Sequence, residues 1–190
     1  MLAPIDAAVA TATLDAALPQ RTERLVLRRF APEDLDAFRA YQTDPGTVLH
    51  LWRPMLSEEQ MVARVTMPPV LAADGDAYGI AVETDGVLVG ETVVRLIDAA
   101  GRQAEIGWIL APEHRGRGYA LEAARVALDL AWAIGAHRVT AVLDHENAAS
   151  ARVAERLGMR REALLIDDGV NPATGAYGSS EIWAILEPER

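Results

Sequence analysis

Arg115 and Arg117 alternate with Gly116 and Gly118 directly ahead of a long apolar-periodic run, in the stretch HRGRGYALEAARVALDLAWAIG from His114 to Gly135. A glycine-rich turn at the mouth of a helix aims unpaired backbone N–H groups at one point, and the helix dipole adds partial positive charge there. Such a point suits phosphate. Gly116 and Gly118 remove the side chains that would hold a pyrophosphate away from the backbone, and Arg115 and Arg117 supply charge-assisted hydrogen bonds. The residues alone leave a second reading open, a solvated turn before an amphipathic helix. A Walker loop is excluded by the missing Gly-Lys-Ser/Thr ending, and Leu121 stands where a dinucleotide fingerprint needs its third glycine or alanine.

Composition narrows the choice of ligand. With a net charge of −10 over 190 residues, the chain lacks the basic excess a nucleic-acid binder uses to displace counterions, so an anionic ligand must be held by local donors. The absence of cysteine excludes a disulfide framework, a thiolate metal site and a cysteine nucleophile, and it is compatible with the cytoplasm. No metal is expected. Residues 1–20 are alanine-rich, lack a basic leader and are interrupted by Asp6 and Asp15, so they read as an N-terminal extension, free to be flexible, and not as a signal peptide. Residues 21–190 then form one domain. No apolar run approaches the length of a membrane span, so a soluble protein with neither membrane nor nucleic-acid partners is expected.

Periodicity supplies the elements that must position the loop. RLVLRRF (Arg24 to Phe30) reads as a strand, and APEDLDAFRAY starts a helix with Leu35, Phe38 and Tyr41 on one face. TDPGT breaks that helix, and Ser57 with Gln60 has capping-box spacing ahead of a second one. Two β-rich runs flank Asp85-Gly86, a strong hairpin signal, and AEIGWIL follows the turn at Gly101 as a third strand. The long helix from about Gly118 to Ile134 ends at Gly135 and is followed by the buried strand HRVTAVL. Asn147 caps AASARVAERL, Gly158 suits the left-handed residue after it, and EALLIDD and SSEIWAIL supply two more strands around the loop GVNPATGAYG. This order predicts an α+β (mixed α/β) domain.

The stretch AEIGWILAPEHRGRGYALEAARVALDLAWAIGAHRVTAVLDHENAASARVAERLGMRREA resembles the GNAT superfamily of acyl-CoA N-acyltransferases. Three features carry the resemblance: Arg-x-x-Gly-x-Ala at Arg115, Gly118 and Ala120; Asn-x-x-Ser at Asn147 and Ser150; and the Leu-Gly-Met turn at Leu157 to Met159. TERLVLRRFAPEDLDAF further resembles the RimJ/RimL-type branch, which acetylates protein N-termini or other amines. The resemblance runs from about Thr22 to Leu186 and is weak between about Thr43 and Asp76, the substrate-facing region. It implies a mostly antiparallel central sheet of about seven strands, flanked by helices, whose two central strands splay apart to admit acetyl-CoA.

By that resemblance, the backbone of Trp108, Ile109 and Leu110 pairs with the pantetheine arm, and a backbone N–H near Ile109 or Leu110 meets the oxygen of the tetrahedral intermediate. The loop of Arg115, Gly116, Arg117, Gly118, Tyr119, Ala120 and Leu121 holds the pyrophosphate, and Asn147 combines helix capping with a contact to the pantetheine arm. Glu105 is the first candidate for the base that takes the amine proton, its alternative being a surface carboxylate or an arginine partner. Glu146, Asp144 and His145 are further candidates. Ser150 either donates a hydrogen bond to the departing sulfur or only helps cap its helix, and Arg152 either reaches a cofactor phosphate or is solvated. Two departures stand out: Ala154 occupies the position of a tyrosine that protonates the thiolate in many members, and Val142 that of a glutamate base in some.

The expected activity is acetyl-CoA-dependent N-acetylation, the amine attacking the thioester directly, with a protein N-terminus or a small-molecule amine as acceptor and a homodimer as one assembly. The alternative, raised by Ala154 and Val142, is a catalytically weak acyl-CoA-binding sensor or interaction module. The resemblance further implies that PGTVLHLWRPMLSEEQMVARVTMPP forms part of the acceptor wall, where Trp52, Met55 and Met61 either line an apolar pocket or, the default for such residues, pack in the core.

Overall fold

The computed structural model describes residues 3–187. Its frame is an eight-stranded sheet in the order β1-β2-β3-β4-β5-β6-β8-β7. The strands are β1 (Gln20–Arg21), β2 (Val26–Arg28), β3 (Ala77–Thr84), β4 (Val87–Asp98), β5 (Gln103–Leu110), β6 (Arg138–Asp144), β7 (Arg160–Val170) and β8 (Tyr177–Leu186). Every neighbouring pair is antiparallel except β5 with β6, where the chain crosses over through a helix. The β3–β4 turn has both Asp85 (φ 51°) and Gly86 (φ 78°) in the left-handed region, the geometry that matches the twist of a tight hairpin.

Alternation along the strands divides the core between the two faces. Ile80 and Val82 enter one cluster with Ile106, Val139 and Ala141, while Ala81 between them enters a second with Phe38, Tyr41, Met61 and Val65. The first cluster is covered by α5 (Tyr119–Ala133) and α6 (Ala148–Arg156), the second by α2 (Leu35–Gln42) and α4 (Glu58–Thr66). A short α3 (Pro45–Val48) lies between α2 and α4. The capping box at Ser57 and Gln60 forms in both directions, at 3.2 and 2.8 Å, and Gly135 (φ 91°) and Gly158 (φ 84°) follow α5 and α6 as expected.

The N-terminal extension packs against the first cluster. Residues Ala7–Ala17 form a helix, α1, capped by Asp6, whose carboxylate accepts from the N–H groups of Ala8 and Val9 at 3.0 Å each. Ala10 and Leu14 on α1, and Ile5 just ahead of it, are buried in the first cluster, and the Tyr78 hydroxyl donates to Asp15. Burial of these apolar residues outweighs the modest helix capacity of so short a segment, so the extension, whose order the sequence left open, packs as part of the fold. The last strands are also longer than the patterning indicated, because bulges in β7 between Arg161 and Ala163 and between Leu165 and Gly169 break the alternation. Among the described residues, no helix is long and apolar enough to cross a membrane.

Candidate active site

β5 and β6 pair only at Gln103↔Arg138, Ala104↔Val139 and Glu105↔Thr140. Beyond that point β5 continues to Leu110 and β6 to Asp144 without pairing to each other, so the sheet opens from Ile106 and Ala141 onward. Val142, in a strand interior, is consequently 51 % exposed. The facing edges leave backbone donors and acceptors free for an extended ligand, as in strand addition. On its other side β5 is held by β4 through Gly90↔Leu110, where a Cβ on Gly90 would lie 2.1 Å from the Ile109 carbonyl oxygen. Glycine there permits the close strand approach that fixes Ile109 and Leu110.

The glycine loop lies between the open end of β5 and α5. Gly116 (φ 75°) and Gly118 (φ 83°) are both left-handed, and among the described residues no acceptor meets the N–H groups of Gly116 through Leu121. This run of free donors at a helix N-terminus is chemically suited to a pyrophosphate. The Leu121 side chain anchors the loop by burial in the first cluster. From the other side Arg24 clamps it: its guanidinium donates to the Arg117 carbonyl at 2.8 Å, pairs with Glu122 at 2.6 Å and lies 5.0 Å from the Tyr119 ring centroid. Glu122 is locked in turn by the Thr22 hydroxyl at 2.5 Å and the Arg24 N–H at 3.0 Å. Burial pushes the Glu122 pKa up, but these hydrogen bonds outweigh it and hold the carboxyl below its usual range.

The two loop arginines separate. Arg115 points its guanidinium away from the loop, to the Thr47 hydroxyl, the Leu110 carbonyl (3.0 Å) and, at 3.8 Å, the Asp44 carboxylate that caps α3. Its side chain ties the end of β5 to the α2–α4 segment, whereas Arg117 is exposed and, among the described residues, donates only to the Glu113 carbonyl at 3.1 Å. Trp108 packs its side chain against the first cluster, leaving its backbone on the open edge.

Glu105 sits where the strands part. Its carboxylate is 3.6 Å from Arg95, and burial raises its pKa more than Arg95 lowers it, the direction that favours proton uptake by a general base. Asp144, at the end of β6, is engaged by His50 Nδ1 at 2.6 Å, with its side chain 6 % exposed. His145 turns to the other side, to Glu181 at 2.8 Å, where Arg161 and the Trp183 indole also converge. Glu146 and Arg152 are exposed. Asn147 caps α6 by accepting from the Ser150 N–H at 3.1 Å, which leaves the Ser150 hydroxyl without a partner among the described residues. Met61, on the inner face of α4, is buried in the core, while Met55 lines an open groove. Trp52 rests on Gly178, where a Cβ would lie 2.5 Å from its ring.

Sequence reasoning missed Arg24, Glu122 and His50, whose partners are 98 and 94 positions away in the chain. A weak signal existed for Glu122, an acid in the first turn of a long helix.

The acetyltransferase (GNAT) domain family matches residues 24–160. The chain is 30% identical over 150 residues to the uncharacterized N-acetyltransferase p20 of Bacillus licheniformis, covering 77% of this chain and 84% of that protein. Among solved structures, a GNAT-family acetyltransferase from Bacillus anthracis superposes with a TM-score of 0.73 at 29% identity, covering 87% of this chain and 96% of that one. RimL, a ribosomal alpha-N-protein acetyltransferase solved with coenzyme A, superposes with a TM-score of 0.74 at 20% identity, covering 88% and 97%, and shows the shared fold. The chain belongs to the GNAT acetyltransferase family.

Proposed function

We propose that the protein is an acetyl-CoA-dependent N-acetyltransferase of the RimJ/RimL-type branch, acting on a primary amine. The observation that supports this best is the coincidence of the β5–β6 opening with the free N–H groups of the glycine loop at its end. The opening accommodates the pantetheine arm against Trp108, Ile109 and Leu110, while the loop from Arg115 to Leu121 takes the pyrophosphate on its backbone and on Arg117. Arg115, whose N–H donates to the Pro112 carbonyl and whose guanidinium turns to Leu110 and Thr47, contributes by holding the start of the loop in place.

Acetyl-CoA supplies the thioester carbonyl. The amine nitrogen forms the new C–N bond, the C–S bond breaks, and the thiolate leaves, taking up a proton to become the free thiol. Glu105 takes the amine proton, a backbone N–H at Ile109 or Leu110 stabilises the oxyanion, and the free Ser150 hydroxyl donates to the sulfur. Asn147 meets the pantetheine arm beside its capping role. With alanine at position 154, the hydrogen bond to the departing sulfur is assigned to Ser150.

The test is release of free thiol from acetyl-CoA on addition of amines, with product mass confirming acetylation. Transfer to at least one amine is expected. Tight acetyl-CoA binding without transfer to any amine would replace this reading with the sensor module.

A further inference from the structure

A groove of about 840 Å³ opens between the α2–α4 segment and the β7–β8 turn, walled by Thr43, Val48, Leu49, Met55, Pro172 and their neighbours. Its wall is tied to the ends of both strands of the opening. Arg115 ties α3, in its wall, to the end of β5, and His50, between wall residues Leu49 and Arg53, reaches Asp144 at the end of β6. The far wall is fixed by Asn171, whose amide donates to the Leu49 carbonyl at 2.7 Å. Among the described residues that line the groove, Arg53 alone is charged, in a chain whose net charge is −10.

Arg53 is partly buried, and no carboxylate of the described residues lies within 4.0 Å of it. It donates to the Gln42 side-chain oxygen, and the Gln42 amide donates to Glu91 at 2.6 Å. Glu91 is already paired with Arg64 at 3.3 Å, and Arg95 is matched by Glu105. Arg53 thus reaches Glu91 only through Gln42, while Arg64 pairs with that carboxylate directly, leaving a positive charge in excess beneath an otherwise uncharged groove. A partly desolvated cation in that position gains most from an anion that enters the groove. Burial accordingly lowers the Arg53 pKa, with Arg64 and Arg95 acting in the same direction against Glu91.

We propose that this groove is the acceptor subsite and takes a free amino acid with an uncharged side chain, its carboxylate paired with Arg53 and its amine directed to the opening. The proposal rests on the N-acetyltransferase reading. A guanidinium suits a carboxylate in planar, two-bond geometry. A polyamine would set an ammonium against Arg53, a like-charge contact, and a peptide N-terminus offers only a neutral amide where an amino acid carries its carboxylate.

The experiment compares a panel of uncharged L-amino acids, their amides and spermidine as acceptors, with acetyl-CoA binding measured alongside, for the wild type, Arg53→Met and Arg53→Lys. Loss of a hydrogen-bonded charge pair predicts that the wild type prefers acid to amide by about 10- to 100-fold in kcat/KM. Arg53→Met should collapse that ratio toward one and Arg53→Lys should restore part of it. The ratio is taken within each variant, so a general loss of folded protein does not move it. A wild-type ratio near one, a preference that survives in Arg53→Met, or turnover confined to spermidine or peptide amines would overturn the proposal. So would acetyl-CoA binding without turnover of any amino acid. Absence of acetyl-CoA binding would instead remove the acetyltransferase reading, and the proposal with it.

Discussion

Glu105 and Arg115 mark how far individual residues were legible. Glu105 was recognisable as a carboxylate on the strand leading into the opening, but its raised pKa depends on burial that no local pattern reports. Replacing it by glutamine is expected to lower kcat by about 10²- to 10⁴-fold with little change in acetyl-CoA affinity, and to abolish the acidic limb of the rate profile. That limb should lie above the ordinary carboxylate range in the wild type. The stability effect has the opposite sign from a salt-bridged acid: a carboxyl whose folded pKa is raised disfavours the folded state once ionised, as pH rises from the unfolded toward the folded pKa. Thermal melting of Glu105→Gln at neutral pH should therefore show no loss relative to wild type, and a marked loss would identify Glu105 as a structural partner of Arg95. Arg115 carried the motif in the sequence, yet its guanidinium belongs to α3. Chain spacing identifies the turn but not the side-chain direction.

At the scale of elements, the glycine loop depends on a clamp contributed from the far edge of the sheet. Arg24 and Thr22 precede β2, and together with Glu122 they fix the carbonyl of Arg117 and the first turn of α5. Arg24→Ala should weaken acetyl-CoA binding by roughly 10-fold, the scale of a hydrogen-bonded charge pair. Binding of S-acetyl-pantetheine, which lacks the pyrophosphate, should be unchanged, and an equal loss for both ligands would mean that Arg24 supports the whole fold and not the loop. The helix α1 is a second case. Leu14 is fully buried, so Leu14→Ala is expected to destabilise the protein by about 2–5 kcal/mol in denaturant titration, whereas a flexible extension would give no change. Alanine-rich composition concealed this helix because its burying surface comes from Leu71, Tyr78 and α5, all remote in sequence.

For the molecule as a whole, hairpin, capping and glycine signals made most of the element order readable, since each is a local backbone requirement. The order of the strands, and above all the exchange that places β8 between β6 and β7, arises from tertiary pairing and was not stated by any local pattern. The charged groove was hidden for the same reason: Gln42, Arg53, Arg64 and Glu91 come from separate elements. The central claim joins the β5–β6 opening to the glycine loop as one acetyl-CoA site. Calorimetric titration of acetyl-CoA into the wild type and Gly118→Val, with dephospho-CoA and NAD as controls, tests it most directly. Gly118 has φ 83°, a conformation that valine resists. Saturable binding of acetyl-CoA but not NAD, weakened in the variant, is the predicted result. No binding to the wild type, or equal binding of NAD, would contradict the account and return the arginine–glycine stretch to a solvated turn.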